Sequence, residues 1–228
     1  MNFSINQTSS LSFTEQAQKK REEQTEKLAS GIKINQAADD AAGLQISNRL
    51  TSQINGLNQK AVNSRDQINL NDVASAQLSS ITNNLQRANE LAVQSGSPLS
   101  DNSAIQGELD QLSGEINAIA GQALGNDSFI SGLDASDTAG SLAAIETALV
   151  SVGEQASSLG AQSNGLESQI STYEVTSTNS SAARSRIRDT DFAQATGEQQ
   201  KNDILLQASL SIQKTEEERK GLLFNQMV

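Results

Sequence analysis

Two adjacent carboxylates, Asp39 and Asp40, and three alternating cations, Arg184, Arg186 and Arg188, are the residues whose types and spacing could do chemistry. Paired carboxylates can hold a metal ion or divide the work of general acid and base, and clustered guanidiniums can bind an anion. Their surroundings favour plainer roles. Asp39 and Asp40 head an apolar-periodic segment, where carboxylates accept amide hydrogen bonds and complement the helix dipole. The arginines alternate with Ser185 and Ile187, the pattern of an ion-paired packing surface. The 228 residues include no His, no Cys and no Trp, which removes the commonest general base, the commonest metal ligands and the thiol nucleophile. Neither an enzyme nor a cofactor or metal site is expected.

Charge is unevenly placed. All 16 basic residues lie in 1–87 or 184–228, while twelve acidic residues lie in 88–183. This implies an acidic, solvent-facing middle between near-neutral ends able to associate, and it makes nucleic acid a poor partner. No stretch approaches the ~20 apolar residues that span a bilayer. The N-terminal MNFSINQTSSLSFTEQAQ has neither a basic leader nor a small-residue cleavage site, so a soluble chain with no membrane partner and no cleaved signal peptide is expected.

Helices must carry these residues. From Leu142, apolar or small residues recur at Ile145, Leu149, Val152, Ala156, Leu159, Leu166, Ile170 and Tyr173, in alternating steps of three and four broken only at Ser163. That is a heptad seam, and a helix over 142–173 would be ~48 Å long, suited to a rod. The same spacing appears in Ile105, Leu109, Leu112, Ile116, Ile119 and Ala123. It returns in Leu50, Ile54, Leu57 and Ala61, and in Leu78, Ile81, Leu85, Ala88 and Ala92. The expected core is therefore Leu50, Ile54, Leu57, Leu142, Ile145, Leu149, Val152, Leu159, Leu166 and Ile170. Gly31 ends a first helix in the left-handed conformation. Gly96 and Pro98 mark a turn, and the glycines at 121, 125, 132 and 140 bound the one place for a short hairpin, NDSFISG. The fold class is mainly α: an elongated antiparallel helical bundle or coiled coil formed by both chain ends, with at most a short β-hairpin at the tip.

Four segments carry a family resemblance. LASGIKINQAADDAAGLQISNRLTSQINGL at 28–57 and SSAARSRIRDTDFA at 180–193, with LQRANELAVQSG at 85–96 and LGAQSNGLESQI at 159–170, resemble bacterial flagellin, the first two being its terminal signatures. The resemblance implies a structural subunit that assembles with copies of itself into the flagellar filament by heterologous contacts. It implies export through the flagellum's own channel, and partners in the export machinery, a chaperone, and the cap and hook-junction proteins. It also implies that 1–38 and 194–228 form an inner, channel-lining coiled coil, and that 39–193 form a helical rod with its tip turn near 121–140. Subunit contacts are expected at Ile32, Ile34, Asp39, Asp40, Arg87, Leu91, Arg184 and Arg186.

The terminal helices depart from the family's leucine-rich seam, with KKREEQTEK at 19–27 and TEEERKG at 215–221. Interrupted stripes remain in Leu11, Phe13, Ala17 and Leu28, and in Leu205, Ala208, Ile212, Leu222 and Leu223. Antiparallel pairing about Pro98 sets Glu108 opposite Asn89, between Arg87 and Leu91. By the resemblance, Arg87, Leu91 and Glu108 would form one patch recognised on the monomer by the vertebrate innate receptor for flagellin, although Asn89 departs from the basic residue often found there. A hook-filament junction protein shares both ends of this architecture, and a signalling coiled coil shares the Ala/Ser/Gln-rich helices. LQRANELAVQSG and SAARSRIRDTDFA favour flagellin.

Overall fold

The computed structural model describes the backbone of residues 3–225 and the side chains of 14–215 and 217–219. The stripe residues Leu11, Phe13, Leu222 and Leu223 lie outside the described side chains. Five helices account for most of the chain: α1 (Phe3–Ser30), α2 (Ala41–Ser95), α3 (Asn102–Leu124), α4 (Thr138–Arg188) and α5 (Phe192–Asn225). Their ends are set locally. Gly31 turns the chain out of α1 at φ 68°, and Gly125 closes α3 at φ 66°, a conformation that costs glycine nothing. The Asp40 carboxylate receives the Gly43 amide at 2.9 Å at the head of α2. Asp101, Asp137 and Asp191 cap α3, α4 and α5 through amides of Ser103 and Ala104, of Gly140, and of Ala193 and Gln194.

Packing divides the chain into two units, Met1–Asn55 with Ser177–Val228, and Gly56–Thr176. The divisions fall inside α2 and α4.

In the second unit, α3 and α4 both run antiparallel to α2. Ser95 meets Thr138 at 3.2 Å, Asn71 donates to Ser163 at 3.1 Å, and Arg87 reaches Glu108. The core contains Leu78, Ile81, Leu85, Ala88, Leu91 and Ala92 of α2, Ile105, Leu109, Ile116 and Ala120 of α3, and Ile145, Ala148 and Val152 of α4. Of the expected core residues, Ile145 and Val152 are buried here, and Ile54 is buried in the first unit. Leu142, Leu149 and Leu159 flank the core, and Leu50, Leu57, Leu166 and Ile170 are half-buried. The deepest line on α4 is Ser141, Ile145, Ala148 and Val152, rotated from the expected seam because α4 faces two helices and a loop at once.

The hairpin does not form. Among the described residues there is no strand, and 126–137 runs back along α3 as a loop with Ile130, Leu133 and Ala135 buried. Amide side chains of α3 satisfy its backbone in place of a cross-strand partner. Asn117 accepts from Ile130 N–H and donates to Ile130 C=O, both at 2.8 Å. Gln106 accepts from Ala135 N–H at 2.8 Å and donates to Leu133 C=O at 3.0 Å. Buried backbone must be paired somewhere, and here two helix residues do it.

In the first unit, α1 and α5 pair antiparallel. Gln24 donates to Ala195 C=O at 3.1 Å, and Arg21 meets Asp203 at 3.0 Å. Among the described residues the buried and half-buried positions of α5 are Ala195, Gln199, Asn202, Asp203, Leu206, Ser209 and Gln213, a seam mainly of threes and fours made largely of polar side chains. Leu205 and Ile212, expected in that stripe, instead point outward at 47% and 56% exposure.

Candidate functional site

The two terminal signatures meet in the first unit. Past Gly31, Ile32 pairs with Asp189 in an isolated antiparallel bridge. Lys33 N–H donates to Arg188 C=O at 2.7 Å, Thr190 N–H donates to Gly31 C=O at 3.0 Å, and Lys33 Nζ donates to Arg186 C=O at 3.1 Å. The Phe192 ring lies against Gly31, 3.6 Å from where a Cβ would stand. Ser30 Oγ accepts from Ile32 N–H at 3.2 Å and closes the turn. One backbone joint thus ties the α1–α2 connection to the α4–α5 connection.

Carboxylates at this joint are committed to the chain itself. Asp39 accepts the amides of Asn35 and Gln36, each at 3.0 Å. These two bonds, that to Gln36 first, hold its carboxyl below the ordinary 3.8. Asp40 is spent on Gly43, where a side chain would collide with the Asp40 carboxylate and with Ile34 Cδ1. Asp189 accepts from the Ser185 hydroxyl and Asp191 from the first amides of α5. Each of the four thus has a structural partner within the chain, and among the described residues no group of three His, Cys, Asp or Glu could hold a metal ion. Among the described residues, the polar side-chain atoms buried without a partner, Asn35 Nδ2, Ser47 Oγ and Arg188 Nε, all belong to this unit.

Of the expected subunit contacts, Asp39, Asp40, Arg87 and Arg186 are exposed and Ile32 is half-buried. Arg184 is half-buried and donates to Thr51 Oγ1 at 3.4 Å. Ile34 is corrected to the interior: it is 4% exposed, because it packs on the bare face of Gly43. Leu91 is corrected likewise, at 2% exposed. Arg87 and Leu91 are one turn apart, but α3 and α4 together bury so wide an arc of α2 that Leu91 falls inside it and Arg87 stays at its edge. Arg87 itself pairs with Glu108 at 2.9 Å and with Glu90 at 3.2 Å, and these two, Glu108 first, raise its pKa further.

Sequence reasoning missed Ser141, Ala148, Asn71 and Ser163. Asn71, 4% exposed, donates to Ser163 Oγ and accepts from Gln67 at 3.2 Å. The one break in the heptad pattern is therefore a hydrogen-bond acceptor for a buried amide.

Residues 1–138 match the bacterial flagellin N-terminal helical region, and residues 142–215 match the bacterial flagellin C-terminal helical region. A flagellin of Halalkalibacterium halodurans is 36% identical over 226 residues, spanning 81% of this chain and 83% of its own. The flagellar filament 33 kDa core protein of Treponema phagedenis is 30% identical over 243 residues, spanning 82% of this chain and 85% of its own. A flagellin of Clostridium tyrobutyricum is 50% identical over 98 residues, which are 42% of this chain and 26% of that protein. With both end regions matched in order and their signatures joined in one structure, the chain belongs to the bacterial flagellin family, whose members are structural subunits of the flagellar filament and not enzymes.

Proposed function

We propose that the first unit drives polymerisation, with the outward face of α5 packing against neighbouring copies. The observation that carries this is the placement of apolar side chains on α5. Phe192, Ile204, Leu205, Leu210 and Ile212 are exposed at 46% to 66%, while the seam toward α1 holds glutamine, asparagine and serine. A lone chain gains nothing from that arrangement, and a face of this kind marks an association surface. Heterologous contacts between copies then repeat without closing, which gives a helical homopolymer. Ile32, Asp39, Asp40, Arg184 and Arg186 of the joint would border these contacts. Before export, a chaperone would have the same apolar face to cover, and the cap and hook-junction proteins would meet it at the filament ends.

The test is the double variant Ile204→Ser with Ile212→Ser. Both side chains are exposed, so helicity by circular dichroism should be unchanged. The monomer concentration left in equilibrium with filaments should rise at least about tenfold, since about 1.4 kcal/mol of lost burial per added subunit is enough. An unchanged value would refute the assignment.

Recognition of the monomer by the vertebrate innate receptor would centre on Arg87, Glu90 and Glu108, whose side chains are 50%, 70% and 44% exposed, with Leu91 withdrawn. Arg87→Ala and Glu108→Ala should each weaken binding of monomer to the receptor ectodomain. Unchanged affinity in both would remove this role.

A further inference from the structure

The joint encloses a cleft of about 450 Å³, lined in part by Lys27, Lys33 and Arg186 on one account and by Asp189, Asp191 and Glu198 on the other. Its charges balance in number, but its cations and carboxylates do not pair with one another. Asp189 already accepts from Ser185, Asp191 from the amides of Ala193 and Gln194, and Glu198 from Gln194 Nε2 at 3.1 Å. Among the described residues none of the three cations forms an ion pair, the pairs present being Arg21 with Asp203, Arg65 with Glu174, and Arg87 with Glu90 and Glu108. Lys33 places one hydrogen on Arg186 C=O and keeps the rest of its capacity. The Arg186 guanidinium, on an exposed residue, retains the planar fork that binds carboxylate in two bonds.

The complementary charge lies in the other unit of the same chain. Gly56–Thr176 contains three basic and fourteen acidic residues, whereas the first unit contains thirteen of each. Among the acidic ones, Asp110, Glu115, Asp127, Glu146, Glu154 and Glu167 are exposed and ion-pair with nothing among the described residues. A neighbouring copy is therefore a dense source of unpaired carboxylates for these unpaired cations, and every copy offers both halves of the contact. We propose that the cleft takes a carboxylate from the acidic unit of a second copy, held by Arg186, Lys33 and Lys27. The contact is heterologous, so it propagates along a filament, and it deepens the filament reading on which it rests. It also restrains the mutual repulsion of acidic units brought side by side, by giving each one a cationic seat.

Filaments grown from an equal mixture of unlabelled and ¹⁵N-labelled full-length chain, treated with a water-soluble carbodiimide, test this. The reagent joins an amine to a carboxylate only where the two touch. Mixed-isotope links from Lys27 or Lys33 to acidic residues between 101 and 167 are expected. The proposal is overturned if those lysines link only within their own copy, or only to carboxylates of the neighbour's first unit, while other mixed-isotope links form. Failure of the full-length chain to make filaments would instead sink the filament reading, and this contact with it. Arg186→Glu gives an independent readout on an exposed side chain, with circular dichroism as the check on folding. Its residual monomer concentration should exceed the parent's by roughly tenfold at low salt, with the gap closing as salt screens the reversed charge. Equal values at low salt would overturn the proposal.

Discussion

Asn71 and Ser163 show how a single side chain can carry opposite meanings in a pattern and in a structure. As a gap in the heptad sequence, Ser163 invites replacement by leucine. In place, its hydroxyl accepts from an amide that is almost wholly buried. Ser163→Leu should therefore lower stability by about 1–3 kcal/mol, the cost of an unmade hydrogen bond in the interior. Adding Asn71→Leu removes the stranded amide and should recover most of that loss. Denaturant unfolding of the two variants decides it, and a stable single variant would show that the bond contributes nothing. Asp39 gives a second expectation. Its folded pKa is depressed by the Gln36 and Asn35 amides, so the bonds are in force above the unfolded value and are lost as pH falls through the folded one. In the monomer, the amide protons of Asn35 and Gln36 should titrate together with a midpoint below 3.8, and Asp39→Asn should abolish that titration. The capping role of Asp40 could be read from the sequence because it depends on a residue three positions away, whereas Asp39 instead ties down the loop before the helix, through Asn35 and Gln36. The partnership of residues 71 and 163 could not, because neither type announces a partner so far along the chain.

Helix period was the clearest signal at the scale of elements. The steps of three and four around Ile145 and Val152 located α4 and its buried side, yet Ala148 and Ser141 sit deeper than Leu149 and Leu142. Small residues bring helices close without raising hydrophobicity, so a seam read from leucines alone comes out slightly rotated. The α5 seam was harder still, since Gln199, Asn202, Ser209 and Gln213 look like a solvated face and Leu205 and Ile212 look like a core. The segment NDSFISG read as a hairpin because its composition suits a strand, and nothing in it shows that Asn117 and Gln106 will complete its backbone hydrogen bonding. That arrangement has a consequence. Asn117→Ala would strand both the N–H and the C=O of Ile130, which is 4% exposed, whereas Asn117→Asp keeps the acceptor and loses only the donor. Hydrogen exchange at Ile130 should accelerate markedly in the alanine variant and less in the aspartate one, with α3 itself unaffected. Equal protection in all three proteins would mean that apolar packing of Ile130, Leu133 and Ala135 alone holds the loop.

At the scale of the whole molecule the two units have been given different chemistry. The second holds a continuous apolar core drawn from three helices and a loop, together with essentially all of the net charge of −11. The first is neutral, keeps a polar seam between α1 and α5, and sets five large apolar side chains of α5 outside it. A segment with few buried apolar contacts opens at low free energy, independently of a well-packed neighbour, and a chain built in this way departs from two-state behaviour. Unfolding of the monomer should therefore proceed in two steps. In a thermal scan by circular dichroism, α1 and α5 should lose helicity first and the second unit should melt later. Ile145→Asp places an uncompensated carboxylate where the parent side chain is fully buried, and it should lower only the later transition. Ile204→Ser with Ile212→Ser, on the exposed face of α5, should move neither. In assembled filaments the early step should merge with the later one, because contacts from neighbouring copies supply the burial that α1 and α5 lack alone. A single cooperative transition in the monomer, or an early step lowered by Ile145→Asp as much as the late one, would show that the polar seam is no weaker than the apolar core.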